Sequence, residues 1–352
     1  MKITRREFIR YAGCLSGLLT LPLALTREAW SKAEQFEPAY WKLEAEGAFA
    51  DRIEQAYALF TECELCPRRC GVDRTNGERG FCRAPVKPVV YSAHPHFGEE
   101  KPLVGRGGSG TIFFSNCNLR CVFCQNWPIA HRGEGNRVTD AEVARMMLKL
   151  QRIGCHNINL VTPTHVMPNI LSATRIAMSE GLRIPLVYNT SGYERLEIVR
   201  LLDGIVDIYL PDMKYTDPKQ ADTYSAGASD YPELAAKAIV EMNRQVGVLN
   251  VDKRGIAQRG LIIRHLVMPN RVAGTKKFVE WVARELPKTT YLNIMPQYRV
   301  EYKAYDFPKI ARGITNEEFL EAITWAEEEG LTNIDEKVLA VRDVMRRRRR
   351  SP

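Results

Sequence analysis

Between residues 111 and 298 the apolar and polar positions follow two alternating habits. Six short runs, at 111–115, 158–162, 185–190, 205–210, 261–267 and 291–295, are almost wholly apolar and rich in β-formers. Runs of that length and composition are strands buried on both faces. The segments between them, at 140–153, 168–179, 195–202, 231–246 and 276–286, carry apolar residues at helical spacing. A strand followed by a helix, repeated six times, predicts an α/β fold with a parallel sheet covered by helices. No Gly-x-Gly-x-x-Gly follows a strand, which disfavours a doubly wound nucleotide fold. An open (β/α)6 partial barrel of the TIM type is the expected architecture. Its active end is the C-terminal end of the strands, where polar residues gather: Ser115-Asn116, Thr162 to His165, Asn189 to Ser191, Asp212 to Lys214, Arg264-His265 and Gln297-Tyr298.

Outside this region the pattern changes. A helix is expected near 40–60, followed by a cysteine-rich stretch at 63–82 full of Pro, Arg and Gly, and another helix near 316–329 closes the chain before a basic tail. The expected organisation is a leader over 1–33, a helix and cysteine-rich metal-binding extension over 34–105, the partial barrel over 106–300, a helical extension over 301–345 and the tail over 346–352.

The formal charge of +8 invites a nucleic-acid partner, but its location removes that reading. Residues 1–33 carry +4 and the arginines at 346–350 carry +5, so the body between them is close to neutral. The leader joins a basic start to a mostly apolar run at 12–25, too short for a comfortable membrane span. Thr4-Arg5-Arg6-Glu7-Phe8-Ile9-Arg10 fits the twin-arginine address of proteins exported already folded. The periplasm or cell envelope is therefore the expected location, with the cytoplasm as the alternative, and no transmembrane span is expected in the mature chain.

The sharpest chemical signal is Cys117-Asn118-Leu119-Arg120-Cys121-Val122-Phe123-Cys124, directly after the first parallel strand. A short loop with these spacings can offer three thiolates to separate irons of a [4Fe–4S] cluster. Three ligands leave one iron free to bind a small molecule. A second group, Cys63, Cys66, Cys70 and Cys82, offers four thiols in one stretch. Four closes a structural zinc site or fully ligates an iron–sulfur cluster; two disulfides are the alternative in an exported chain. Cys155 reads as a core thiol.

The Cys117 loop with Phe123 before its last cysteine resembles the radical S-adenosylmethionine (SAM) superfamily. Phe113-Phe114-Ser115-Asn116-Cys117, Cys124-Gln125-Asn126-Trp127 and Asp212-Met213-Lys214 look like the activating enzymes of glycyl-radical enzymes. The likeness is to the pyruvate formate-lyase-activating-enzyme-like branch. It continues through Val161 to His165, Tyr188 to Tyr193 and Arg264 to Pro269, and covers roughly 63 to 330. The resemblance implies SAM chelated at the open iron and cleaved reductively to a 5′-deoxyadenosyl radical that abstracts hydrogen from a protein or peptide. It also implies a low-potential electron donor of flavodoxin or ferredoxin type. Carried over by position, Phe123 would pack on the adenine and Asn126 would lie beside SAM. Asp212 and Lys214 would stand near SAM and the substrate peptide. Arg264 and His265 would approach the SAM carboxylate or ribose. The family's Gly-Gly-Glu at the second strand is replaced by Thr162-Pro163-Thr164-His165, so the Thr162 hydroxyl is expected to take over contacts to the SAM amino group. An electron carrier or metal-binding protein without SAM chemistry is the competing reading.

Overall fold

The computed structural model describes residues 36–350; the leader over 1–33 lies outside them. In chain order the elements are α1 (Ala39–Ala45), α2 (Phe49–Ala58), β1 (Val89–His96), α3 (Lys101–Val104), β2 (Ser109–Phe114), β3 (Asn136–Arg137), α4 (Asp140–Arg152), β4 (Ile158–Val161), α5 (Met167–Ser179), β5 (Leu186–Thr190), α6 (Leu196–Leu201), β6 (Ile208–Pro211), α7 (Pro218–Tyr224), α8 (Tyr231–Val246), β7 (Asn250–Val251), β8 (Ala257–Leu266), α9 (Thr275–Glu285), β9 (Tyr291–Met295), α10 (Asn316–Glu328) and α11 (Glu336–Arg350).

β2, β4, β5, β6, β8 and β9 pair in parallel and in sequential order, each followed by at least one helix. The (β/α)6 expectation is met, and β9 pairs β8 but not the opposite edge, so the sheet is open. Three antiparallel strands make the sheet mixed. β1 pairs β2, β3 pairs the first two residues of β1, and β7 pairs β8.

The two faces of the sheet bury different residues, as period-two alternation demands. Outward residues such as Ile112, Leu160, Tyr188, Tyr209, Ile263 and Leu292 join the helices in one large core. Inward residues Val187, Ile208, Leu210, Ile262 and Tyr291 form a second cluster that takes in Leu103 of α3. The sheet curves, because Glu99 touches Asn159 of β4 and Arg264 of β8, two strands separated by β5 and β6.

Two expectations are revised. The helix near 40–60 is two helices, broken where Gly47 takes a left-handed φ of 75°, a conformation that glycine adopts without penalty. The basic run at 346–350 continues α11 instead of starting a tail, and Arg346 donates to Glu327 of α10. No helix among the described residues is long and apolar enough to cross a membrane.

Candidate functional site

β2 delivers its C-terminal end into the loop bearing Cys117, Cys121 and Cys124. Asn116 and Arg120, at φ 76° and 53°, take the left-handed backbone that turns the loop back on itself. Such residues persist only where surroundings hold them. Here Asn116 N–H donates to Ile129 O, Asn118 Nδ2 donates to Tyr193 O, and Val122 N–H donates to Tyr224 O.

Each of the three sulfurs meets a donor. Leu119 N–H lies 3.4 Å from Cys117 Sγ, Ser225 Oγ lies 3.1 Å from Cys121 Sγ, and the Asn126 N–H faces Cys124. A neutral thiol is a weak acceptor, so donors aimed at every sulfur suit thiolates. Without a metal these groups would be neutral, since burial pushes the Cys121 thiol up to about 11 and the Cys124 thiol up to about 12. A cation that coordinates them removes their protons. Among the described residues no three His, Cys, Asp or Glu groups converge as ligands of a single metal ion. A cubane asks for something wider, because each thiolate takes its own iron corner. The donor set therefore fits a cluster with one open iron.

Lys214 and Asp212 stand beside this loop. Lys214 Nζ meets Asp212 Oδ2 at 2.6 Å, both side chains mostly buried. Burial works against the ammonium, but Asp212 and then Cys121 outweigh it and hold the Lys214 pKa above the ordinary lysine value. Phe123 is buried between the rings of Tyr215 and Tyr298, at 6.3 and 6.0 Å. Asn126 is exposed just beyond Cys124. Thr162, half-buried at φ 59°, ends β4 with its N–H on Asn189 O.

Two expected site residues are otherwise engaged. Arg264 faces inward, but its Nε and Nη2 are taken by Glu100 at 2.7 and 2.6 Å, and Nη2 also meets Glu99. Asn293 and Asn159 complete the carboxylates' shells. This buried network leaves no free fork for a SAM carboxylate. His265 lies on the opposite face of β8, stacked on Phe278 of α9 at 4.3 Å. Its Nδ1 donates to Met213 O at 2.6 Å and its Nε2 accepts from Thr275 Oγ1 at 2.9 Å. Burial lowers its pKa to about 4, so it is a neutral core histidine. It does not face the site, because neighbouring residues of a strand point to opposite faces.

The second thiol group forms a knot around residues 63–82, and its cysteines are free. The N–H of Arg68 faces Cys66, that of Phe81 lies 3.3 Å from Cys70 Sγ, and that of Ala84 faces Cys82. Gly80 is required where it is: a Cβ there would lie 2.7 Å from Cys70 Sγ. Arg74 is 1% exposed, 4.0 Å from Cys63 Sγ, and donates to His165 O and Pro85 O. No carboxylate pairs with it among the described residues; the guanidinium lies over the Phe60 ring at 4.4 Å, and Cys63 and Cys82 stand beside it as candidate thiolates. A buried cation needs a counter-charge, which suits thiolates bound to a metal.

Residues 111–226, which contain the cluster loop, Asp212, Lys214 and Ser225, match the profile of the Radical SAM superfamily. The chain is also 35% identical over 291 residues to Uncharacterized protein MJ0674 of Methanocaldococcus jannaschii, covering 80% of this chain and 78% of that one. The chain belongs to the radical SAM superfamily. Among solved structures, this radical SAM chain resembles methylornithine synthase (PylB) at 15% identity and a TM-score of 0.44, over 67% of this chain and 68% of that one. It resembles native anSMEcpe with bound AdoMet at 12% identity and a TM-score of 0.41, over 61% and 57%. Membership implies SAM cleavage at an iron–sulfur cluster, and so an enzyme of radical chemistry. Sequence reasoning had passed over Ser225, Arg68, Arg74 and the Glu99–Glu100 pair. Of these, Arg68 and Arg74 could have been suspected from their places inside the cysteine spacing.

Proposed function

We propose that this radical SAM enzyme holds a [4Fe–4S] cluster on Cys117, Cys121 and Cys124 and abstracts hydrogen from a protein or peptide substrate, in the manner of glycyl-radical activating enzymes. The observation that carries the reading is the loop itself: three thiols after β2, each met by a donor, with the Lys214–Asp212 pair beside Cys121. When bound, the cluster supplies the electron that cleaves SAM to a 5′-deoxyadenosyl radical. Phe123 would line the adenine site, and Asn126 and Thr162 the rest of the SAM site. Lys214, held by Asp212 at 2.6 Å, would offer a fixed cation to the SAM carboxylate or the substrate backbone.

Exposed groups and an unpaired strand edge on β1 support a macromolecular substrate. His94 and His96 flank Phe113 on the inward face, with His94 stacked on that ring at 6.0 Å, and Tyr91 and Phe97 are at least half exposed alongside. The edge of β1 beyond Val90 pairs with no strand among the described residues. An extended segment can add to such an edge.

In this reading Cys63, Cys66, Cys70 and Cys82 hold a second metal centre, and since no three ligands among the described residues converge on one ion, an iron–sulfur cluster suits it better than zinc. The N–H groups facing Cys66, Cys70 and Cys82 and the Arg74 guanidinium beside Cys63 support it. A flavodoxin- or ferredoxin-type donor supplies the electron. The Arg5-Arg6 leader sends the loaded protein to the cell envelope; unchanged fractionation of an Arg5→Lys/Arg6→Lys chain would remove that part. The substrate class is tested with soluble extract from cells fed α-deuterated glycine, split by size and given to the reconstituted enzyme with SAM and dithionite. Deuterium in 5′-deoxyadenosine from the protein fraction is expected. Deuterium from the small-molecule fraction alone contradicts a protein substrate.

A further inference from the structure

The thiol knot and the cluster loop are joined by one side chain. Arg68 sits inside the turn from Cys66 to Cys70, with its guanidinium 3.9 Å from the centre of the Phe81 ring. From there it reaches up to 158 residues along the chain. Nε donates to Asn118 O at 3.1 Å, Nη2 to Ser225 O at 3.0 Å and Nη1 to Ala226 O at 2.9 Å. Asn118 lies between Cys117 and Cys121. Ser225 is the residue whose hydroxyl meets Cys121 Sγ at 3.1 Å, and its oxygen also meets the buried Tyr215 hydroxyl at 3.1 Å.

The chemistry of these contacts is informative. Arg68 pairs with no carboxylate among the described residues, and all three of its acceptors are main-chain carbonyls. Arginine's planar fork fixes geometry in a way a lysine cannot. One of the carbonyls belongs to the cluster loop, and another belongs to the serine that touches a cluster sulfur. Ala226, the third, holds a left-handed φ of 52°, a conformation that needs outside support for a residue with a side chain. On the other flank, Arg74 joins the same knot to His165 O, and His165 Nε2 donates at 2.7 Å to Ser115 O, two residues before Cys117. The knot therefore grips the cluster loop from both sides. Hydrogen bonds to cluster sulfurs set a cluster's reduction potential. They favour the reduced, more negative state, so losing one moves the potential down.

We propose that Arg68 and Ser225 form a relay through which the metal centre at Cys63, Cys66, Cys70 and Cys82 sets the reduction potential of the cluster on Cys117, Cys121 and Cys124. The proposal rests on the reading of both thiol groups as metal centres. Metal draws the knot tight and places Arg68; Arg68 holds the Ser225 backbone; the Ser225 hydroxyl then reaches Cys121. Without metal in the knot the chain of contacts slackens and the cluster becomes harder to reduce. Arg68 and Ser225 are positioning residues in this account.

The test is a redox titration of the full-length reconstituted chain followed by low-temperature electron paramagnetic resonance, with iron, zinc and sulfide counted in each sample. The signal that changes on adding SAM identifies the Cys117 cluster. Wild type is compared with Ser225→Ala, Arg68→Ala, Arg68→Lys, the Ser225→Ala/Arg68→Ala double variant and Cys66→Ala/Cys70→Ala. The expected result is a more negative midpoint in every variant that still assembles the SAM-responsive cluster. The double variant should shift no further than the larger single one, because both changes cut one relay. Equal midpoints throughout, with both centres loaded, overturn the relay and leave the two metal centres standing. A wild-type chain that binds no metal at 63–82 overturns it together with the reading on which it rests.

Discussion

Arg264 grips Glu100 through two nitrogens, Nε at 2.7 Å and Nη2 at 2.6 Å, inside the barrel. Glu100 is 1% exposed. Burial works against its carboxylate, yet Arg264 outweighs that and holds the pKa below the usual range. Removing one partner of a buried pair costs about 3–5 kcal/mol, because the other charge is left uncompensated. Arg264→Ala should therefore lower the melting temperature of the metal-free chain, and Arg264→Lys should rescue it only in part. An Arg264→Ala chain of normal stability that has lost SAM affinity would return this residue to the SAM site.

Lys214 makes the opposite prediction. Its ion pair with Asp212 adjoins the cluster loop at the end of β6. Lys214→Met should assemble the wild-type amount of iron while losing roughly 10²-fold in 5′-deoxyadenosine formation, the scale of removing one fixed charge from a reaction centre. Asp212→Asn, which loosens the ammonium without removing it, should fall between the two. Normal turnover by Lys214→Met would show that the pair only braces the barrel rim.

Much of this architecture was legible because buried parallel strands leave dense apolar runs. All six were placed from the sequence, and β9 to the residue. β1 was missed because Tyr91, Ser92, His94, Pro95 and His96 break any apolar run, and its partner strand rather than its composition makes it a strand. The cluster cysteines were legible because ligand spacing is local. Ser225 was not, since it lies 104 residues from Cys121 and a lone serine carries no pattern. Arg264 and His265 show a finer failure. Successive residues of a strand face opposite ways, so both could not enter one site. What occupies Arg264, a glutamate pair more than 160 residues away, is visible only in the fold.

Glu194 gives a pH test. It is fully buried, accepts from Thr164 Oγ1 at 2.6 Å and from Thr190 Oγ1, and burial raises its pKa to about 7. The native state therefore binds a proton that the unfolded state has released between about pH 4.5 and 7. Its contribution is largest at the acid end and is lost as pH rises through 7. Glu194→Gln keeps the neutral form. Relative to wild type it should gain up to about 3 kcal/mol between pH 5 and 8 in urea unfolding. A difference independent of pH would mean that Glu194 titrates normally.

Gly80 tests the thiol knot without touching a ligand. Its backbone tolerates alanine, but the added Cβ would lie 2.7 Å from Cys70 Sγ and 2.8 Å from Cys70 Cβ. Gly80→Ala should lose the metal of the 63–82 site, read as iron and zinc per chain, while the Cys117 cluster remains. Full metal content would mean that the knot is held by packing alone.

The central claim is that Cys117, Cys121 and Cys124 hold a cluster at which SAM is cleaved. It is tested by anaerobic reconstitution with iron and sulfide, addition of SAM and dithionite, and assay of 5′-deoxyadenosine, with the Cys117→Ala/Cys121→Ala/Cys124→Ala chain alongside. Wild type should form 5′-deoxyadenosine and the triple variant none. An iron-replete wild-type chain that forms none would contradict the account and leave an electron carrier or metal-binding protein in its place.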